Sequence, residues 1–227
     1  GLPMNKTSIE FKTTKNHLAL LEKLSNANGV SGDEGEIRAI IRKEITPFAD
    51  EIKVDAMGNL LAVKHAKTKN PVKVLIASHM DEVGFMIAND EGDGLFTFEV
   101  VGGVDDRQLL CKTVAVGKEK IPGVIGSKPV HLLERDEFNH VVSPSEMRID
   151  VGPANGSRVK VGDYGAFATR FQRTGNTITG KALDDRLGVA GLIELLKHVP
   201  AHVEFMAAFT VQEEIGLRGA RVAAYAF

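Results

Sequence analysis

The chain has 227 residues, of which 43% are hydrophobic and 26% charged, as in an ordinary globular protein of one or two domains. Its net charge of −2 gives no electrostatic basis for binding nucleic acid or an anionic membrane, and no apolar run approaches the ~18 residues of a membrane-spanning helix. The only cysteine, Cys111, excludes disulfides and thiolate zinc sites. The first residues lack the pattern of a signal peptide, so we expect a cytoplasmic protein.

Three segments have the apolar periodicity of helices. Leucines at helical spacing predict a first helix from Asn16 to Asn28. Asp33 and Glu36 have the spacing of a capping box and predict the start of a second helix. A third helix is predicted in the last quarter of the chain, where Gly188 and Gly191 would let it lie close to a sheet. Helices that alternate with strands indicate an α/β fold.

Strand-like segments fall into two groups. Glu51–Asp55 and Leu60–His65 predict two strands joined by a turn, and the apolar run Val72–Ser78 is typical of a central strand covered on both faces. From Gly84 to about Thr174 there is no helical stripe, and short apolar segments are separated by glycines, which indicates a small β domain. Those segments are Leu95–Val101, Thr113–Val116, Val124–Gly126, Arg148–Val151 and Gly165–Ala168.

The α/β pattern resumes after this β domain, with a helix and then the buried strand Val203–Val211. We therefore predict one domain built from residues 1–84 and 175–227, into which residues 85–174 are inserted. The charged stretch His131–Glu146 of the insert is predicted to be a mobile surface loop.

Three acidic clusters lie beside predicted strand ends, where α/β sheets commonly build their sites. His79 and Asp81 form the first cluster. On an extended backbone their side chains point to the same side, so Asp81 could accept the second ring N–H of a metal-binding His79. A His–Asp pair without a metal is the alternative.

Asp184 and Asp185 form the second cluster and precede the third predicted helix. One aspartate in this place is a common helix N-cap. Two exceed what a cap needs, and a carboxylate that bridges two cations is a standard part of two-metal sites. Both interpretations remain open from the sequence.

Glu213 and Glu214 form the third cluster and end an apolar strand. Neighbouring residues of a strand point to opposite faces, so an ordinary pair would bury one carboxylate at substantial cost. Metal binding by one and proton transfer by the other would account for both. The alternative is that the strand has already ended and both are solvated.

Together these residues resemble the motifs of the glutamyl and tetrahedral (TET-type) aminopeptidases, a family of co-catalytic metallopeptidases of which some members are labelled endoglucanases. The resemblance covers almost the whole chain, including the insert. The matching segments are Ser78–Phe85, Val101–Arg107, Gly123–Leu132, Gly180–Gly188 and Gln212–Ala220.

The resemblance implies a role for each residue of the three clusters. His79 would bind one metal ion, and Asp81, counted with the catalytic residues, would hold it. Asp184 would bridge two ions and precede a cis peptide bond. Glu213 would be the general base, and Glu214 a further metal ligand. The cofactors would be two divalent ions per subunit, zinc or cobalt, and the substrates short peptides that lose their N-terminal residue.

The resemblance also implies a fold and an assembly. The fold would be a mixed central sheet with helices on both faces and an inserted small barrel-like β domain. The insert would mediate dimerisation, and the family often assembles dimers into a hollow twelve-subunit tetrahedron. No nucleic-acid or membrane partner is expected. In the family a later Asp and a later His complete the metal shells, and neither position occurs in this sequence.

Two other functions fit parts of the pattern. A glycosidase could use two carboxylates, but it would leave His79 without a role and would not need a metal. A non-catalytic protein that oligomerises or binds partners could keep the fold without the chemistry. It would bind metal weakly and show no turnover.

Overall fold

The computed structural model describes residues 13–127 and 141–226. Four α-helices occur in this part of the chain: α1 (Lys15–Asn26), α2 (Gly35–Ile45), α3 (Leu183–Lys197) and α4 (Arg218–Ala223). None of these described helices is both long and apolar enough to cross a membrane.

The start of α2 differs from the predicted capping box. Glu34 is the N-cap, and neither Asp33 nor Glu36 caps the helix through its side chain. The Glu34 carboxylate instead accepts the backbone N–H groups of Gly32 at 2.8 Å and of Gln212 at 3.2 Å. The capping-box prediction is wrong because the acidic side chain at this helix start connects it to a distant loop.

The α/β part is built on a mixed four-stranded sheet. Its strands are β1 (Glu51–Val54), β2 (Leu60–Lys64), β3 (Val72–His79) and β12 (Val203–Thr210), in the order β1-β2-β12-β3. β12 runs parallel to β3 and antiparallel to β2. Among the described residues, β3 therefore lies at an edge, and β12 is interior. The prediction of β3 as a central strand covered on both faces is wrong for this sheet, because the strand lies at its edge and most of its residues are exposed or half-buried. An apolar composition sets neither the order of strands nor their burial.

Helices cover both faces of the sheet, as predicted. On one face, α1, α2 and α3 share a core with Leu60, Ala62 and Phe209 of the sheet. On the other face, α4 places Ala223 against Leu61 and Ala208. The alternation of Leu60, Leu61 and Ala62 between the two cores follows from the two-residue repeat of a strand.

The inserted β domain is a closed six-stranded barrel with the order β4-β5-β8-β7-β6-β9. Its core contains Phe85, which packs edge-on against Phe98 and Phe167 with ring centroids 5.3 and 5.0 Å apart. The barrel strands are β4 (Gly84–Gly92), β5 (Leu95–Val101), β6 (Thr113–Val116), β7 (Ile121–Gly126), β8 (Arg148–Asp150) and β9 (Tyr164–Phe167).

A small hairpin of β10 (Gln172–Thr174) and β11 (Thr177–Thr179) follows the barrel. Two predictions about the insert, its bounds at residues 85–174 and its mobile loop, concern this part of the chain. The bounds stay a prediction. Most of the predicted loop His131–Glu146 lies outside the described residues, and its last part, Pro144–Glu146, forms a short 3₁₀ helix.

The parallel pair β3 and β12 brings the acidic clusters together. In their register His79 lies beside Thr210, and the N–H of Met80 donates to the carbonyl of Thr210 at 2.8 Å. The carboxyl ends of both strands therefore lie at the same end of the sheet. α3 begins near these strand ends, where the Ser78 hydroxyl donates to the carboxylate of Asp185 at 2.8 Å.

Candidate metal centre

His79, the last residue of β3, is surrounded by acceptors. Its side chain is 11% exposed. Nε2 lies 3.2 Å from Asp184 Oδ1 and 3.9 Å from Glu213 Oε2. Nδ1 lies 3.2 Å from the backbone oxygen of Asp81 and 3.5 Å from its carboxylate. Both ring nitrogens thus face oxygen atoms, as expected of a histidine in a site that favours a positive charge.

The charge around His79 changes its protonation. Burial alone would lower its pKa and is the largest single influence. The carboxylates of Asp81, Asp184 and Glu213 together outweigh burial and raise the pKa of His79 to about 9. The cluster therefore favours a positive charge at this point, which a proton supplies when no metal ion is bound.

Asp81 is fully buried and holds the site together. Its Oδ1 accepts the N–H of Glu213 at 3.0 Å, and its Oδ2 accepts the N–H of Glu214 at 3.2 Å and the hydroxyl of Ser31 at 2.5 Å. Burial acts to raise the pKa of Asp81, but these three donors and His79 hold it below its usual value. Asp81 is thus an anion beside His79, and it also anchors the Glu213–Glu214 turn. Its predicted part in orienting a metal-binding His79 stays a prediction.

The two adjacent aspartates have different surroundings. The peptide bond between Asp184 and Asp185 is cis, as the resemblance implied. The side chain of Asp184 is 91% exposed and reaches His79. Asp185 accepts from Ser78 Oγ and, at 3.1 Å, from the N–H of Gly188. The cap interpretation therefore fits Asp185, whereas Asp184 is available to a ligand.

The glycines of α3 do not have the predicted packing role. A Cβ on Gly188 would lie 2.2 Å from Oδ1 of Asp185, so the missing side chain makes room for that carboxylate. A Cβ on Gly191 would meet nothing within 4 Å. The prediction that both glycines let the helix approach the sheet is wrong, since the helical period does not show which glycine faces a neighbour.

Glu213 and Glu214 follow β12 in a turn whose preceding residue, Gln212, has a left-handed φ of 53°. Ligand atoms of His79, Glu213 and Glu214 all lie within 4.8 Å of one another, close enough to hold one metal ion. Burial raises the pKa of Glu214, and the neighbouring carboxylates add to this effect while His79 opposes it. A bound cation would relieve this repulsion.

The geometry does not separate the predicted roles of the two glutamates. Glu213, predicted to be the base, belongs to the three-residue group, and Asp184, predicted to be a bridging ligand, lies outside it. Asp184 nevertheless lies beside Nε2 of His79. All five predicted site residues therefore meet at one place, and their individual roles remain a prediction.

Comparison with known proteins gives the family. The sequence matches the model of the M42 glutamyl aminopeptidases over residues 58–227. The chain belongs to the M42 family. The lysyl aminopeptidase of Pyrococcus furiosus is 34% identical over 218 residues, which cover 91% of this chain and 62% of that protein.

Solved structures of M42-like proteins share the fold. A TET aminopeptidase from the marine sediment archaeon Thaumarchaeota archaeon SCGC AB-539-E09 is 33% identical, with a TM-score of 0.86, over 93% of this chain and 63% of the other. The Pyrococcus horikoshii TET1 peptidase, which can assemble into a tetrahedron or a large octahedral shell, is 36% identical, with a TM-score of 0.79, over 92% and 64%. The chain thus spans between 62% and 64% of the length of these three relatives.

The M42 chain also contains a buried ion network that sequence reasoning missed. Glu82 is 2% exposed and binds Lys181 Nζ through both carboxylate oxygens, at 2.7 and 2.9 Å. It also accepts the N–H of Gly29 at 2.9 Å, and Nη2 of the fully buried Arg186 lies 3.5 Å away. Glu82 follows His79 by three residues, and Lys181 and Arg186 flank Asp184 in the sequence, so the network ties together two segments that carry predicted metal ligands.

The turn that carries Glu213 and Glu214 has a buried support that the sequence patterns also miss. Asn59 is fully buried, accepts the N–H of Val211 at 3.0 Å and donates to the carbonyl of Gly219 at 2.9 Å. It also donates to Asp55 at 2.8 Å. In the sequence Asn59 looks like an ordinary turn residue. The one feature of the sequence that could indicate this role is the position of Asn59 directly before an apolar strand. A side-chain amide there can be buried with its N–H groups and its oxygen all hydrogen-bonded.

Proposed function

We propose that this M42 chain carries the metal centre of an aminopeptidase that removes N-terminal residues from short peptides. The observation that supports it most is the convergence of His79, Glu213 and Glu214 within 4.8 Å, with Asp184 against His79. Family membership supports peptidase chemistry rather than another use of this cluster.

The donor atoms suit zinc or cobalt. One imidazole nitrogen and several carboxylate oxygens are ligands that both ions accept. His79, Asp184 and Glu214 would hold the two ions, with His79 bound to one of them and Glu214 to the second or to both. When bound, such ions lower the pKa of a water molecule and polarise a carbonyl group.

The residues of the chain would perform the remaining steps. Glu213 would accept a proton from the attacking water and deliver it to the leaving amine, as a general base and then a general acid. Asp81 would keep the imidazole of His79 in one orientation and tautomer. The same carboxylate would fix the backbone of both glutamates, so that ligand and base keep a constant separation.

Metal content and turnover test this proposal together. We expect bound zinc or cobalt by elemental analysis, and hydrolysis of some members of a panel of aminoacyl p-nitroanilides that EDTA abolishes. Glu213→Gln should keep the ions and lose about 100-fold or more in turnover. Exposed Glu22 provides the matched control, since Glu22→Gln should leave both unchanged. If Glu213→Gln loses the ions as well, Glu213 is a ligand and not only the base.

A glycosidase reading is disfavoured by the geometry. Glycosidases need two carboxyl groups about 5–9.5 Å apart, on opposite sides of a sugar. One oxygen of each of Glu213 and Glu214 lies within 4.8 Å of the other and of a His79 ring nitrogen, so the two carboxylates face a common point and not each other across a sugar. Hydrolysis of a β-glucan that is insensitive to EDTA would contradict the metallopeptidase proposal.

We also propose that the chain forms homo-oligomers through the inserted barrel, as dimers or as a larger assembly up to a dodecamer. Support comes from the assembly of the similar TET1 peptidase. Light scattering coupled to size exclusion measures the mass directly. A stable oligomer that binds no metal and hydrolyses no peptide would favour a non-catalytic interaction protein. A cytoplasmic location stays a prediction.

A further inference from the structure

The inserted barrel reaches the candidate metal centre at one glycine. Gly102 directly follows β5, whose last residue, Val101, pairs with Gly84 at the start of β4. Gly102 has a φ of +91°, the left-handed region that favours glycine. The chain leaves the barrel rim here and passes beside the turn that carries Glu214.

The contact is too close for any side chain. A Cβ on Gly102 would lie 2.8 Å from Cγ1 of Val83 and 3.2 Å from Cβ of Glu214. The first distance is shorter than real Cβ contacts, and the second requires Glu214 to move by a few tenths of an ångström. Val83 cannot yield easily, because its branched side chain has few rotamers and its neighbour Glu82 belongs to the buried ion network.

Glu214 is therefore held at two points. Its backbone N–H donates to Asp81 at 3.2 Å, and its Cβ packs against Gly102 of the barrel. We propose that Gly102 is a positioning residue for the metal centre: by carrying no side chain, it lets the barrel rest against Glu214 and set the place of its carboxylate. The inference depends on the proposed metal-dependent function, and it assigns to the barrel a part in the site itself.

Cobalt binding to the 227-residue chain tests this role without relying on turnover. Positions that support metal ligands typically change affinity by about 10- to 100-fold when substituted, so Gly102→Ala should weaken Co²⁺ binding by about that factor. The visible absorption spectrum of bound Co²⁺ should change too, because it reports the arrangement of the ligands. A substitution that only lowered stability would leave the spectrum of the folded protein unchanged.

Gly92 is the matched control. It lies in the same barrel, has a positive φ of 85°, and a Cβ there would meet nothing within 4 Å. Gly92→Ala should therefore bear a similar backbone penalty but keep the affinity and spectrum of the unsubstituted chain. Equal weakening in Gly92→Ala and Gly102→Ala would overturn the proposal, as would unchanged binding in Gly102→Ala.

A double variant covers the case in which Gly102→Ala fails to fold. Val83→Ala removes the nearest obstructing atom but leaves the contact with Glu214 Cβ. The folded double variant should still bind Co²⁺ more weakly than Val83→Ala alone, and equal binding would overturn the role of Gly102. If the unsubstituted chain bound no Co²⁺, the metal centre itself would be refuted, a result distinct from normal binding that Gly102→Ala leaves unaffected.

Discussion

Proton and metal should compete for His79, and the structure sets the size of the effect. Three carboxylates raise the pKa of this histidine to about 9 against the influence of burial. A metal ligand must be neutral, and at pH 7 a pKa near 9 leaves only about 1% of the imidazole neutral. Apparent metal affinity should therefore rise about tenfold for each pH unit between pH 6 and 8.5.

Calorimetric titration with Co²⁺ in two buffers of different ionisation enthalpy measures the protons released. At pH 7 we expect His79 to release close to one proton per chain on metal binding, whereas an imidazole with the ordinary pKa of about 6.5 would release only about a quarter of a proton. A release near a quarter, or an affinity independent of pH, would refute the reasoning. In the metal-free chain the raised pKa contributes stability that is complete below about pH 6.5 and is lost as the pH rises through about 9.

Three substitutions test the supports of the site. Lys181→Met removes one cation of the buried network and should lower the unfolding free energy by about 3–5 kcal/mol. Urea titration measures this as a lower midpoint, and a loss under about 1 kcal/mol would contradict a buried ion pair. Asn59→Ala leaves buried backbone groups unpaired, so a loss of about 1–3 kcal/mol and weaker Co²⁺ binding are expected, and unchanged binding would argue against a role in the turn. Gly188→Ala should displace Asp185 and lower the melting temperature. Gly191→Ala, in open space on the same helix, should stabilise the chain by about 1 kcal/mol. A higher melting temperature for Gly188→Ala than for Gly191→Ala would refute the contact.

Much of the fold follows from local patterns in the sequence. The periods of two and 3.6 residues place the strands and helices, and the run of short apolar segments indicates the inserted barrel. Strand order does not follow from them: the apolar run of β3 predicts a central strand, whereas β12 occupies the interior among the described strands. Periodicity reports which residues are buried, and pairing between distant strands is set by contacts that no local window contains.

The site divides in the same way. His79 and the glutamate pair are visible as charged residues that follow apolar strands, and Asp184 as one of two aspartates before a predicted helix. Ser31 is not, because its hydroxyl meets Asp81 across 50 residues of sequence. Asn59 likewise meets Val211 across 152 residues. These supports have the residue types of ordinary turns, and only the folded chain shows that their polar groups are buried and paired.

Asp81 explains why the first and third acidic clusters lie together. A carboxylate has two oxygens with about four acceptor positions, and here they serve Ser31, the N–H groups of Glu213 and Glu214, and the imidazole of His79. A neutral amide of the same size has only one acceptor oxygen, so its own N–H group would face at least one of these hydroxyl or N–H groups. The requirement for an anion at this position therefore comes from the backbone of the glutamate turn as much as from the histidine. Moving His79 would also remove the positive charge that balances Asp81. The positions of the histidine and of both glutamates therefore depend on the same buried carboxylate.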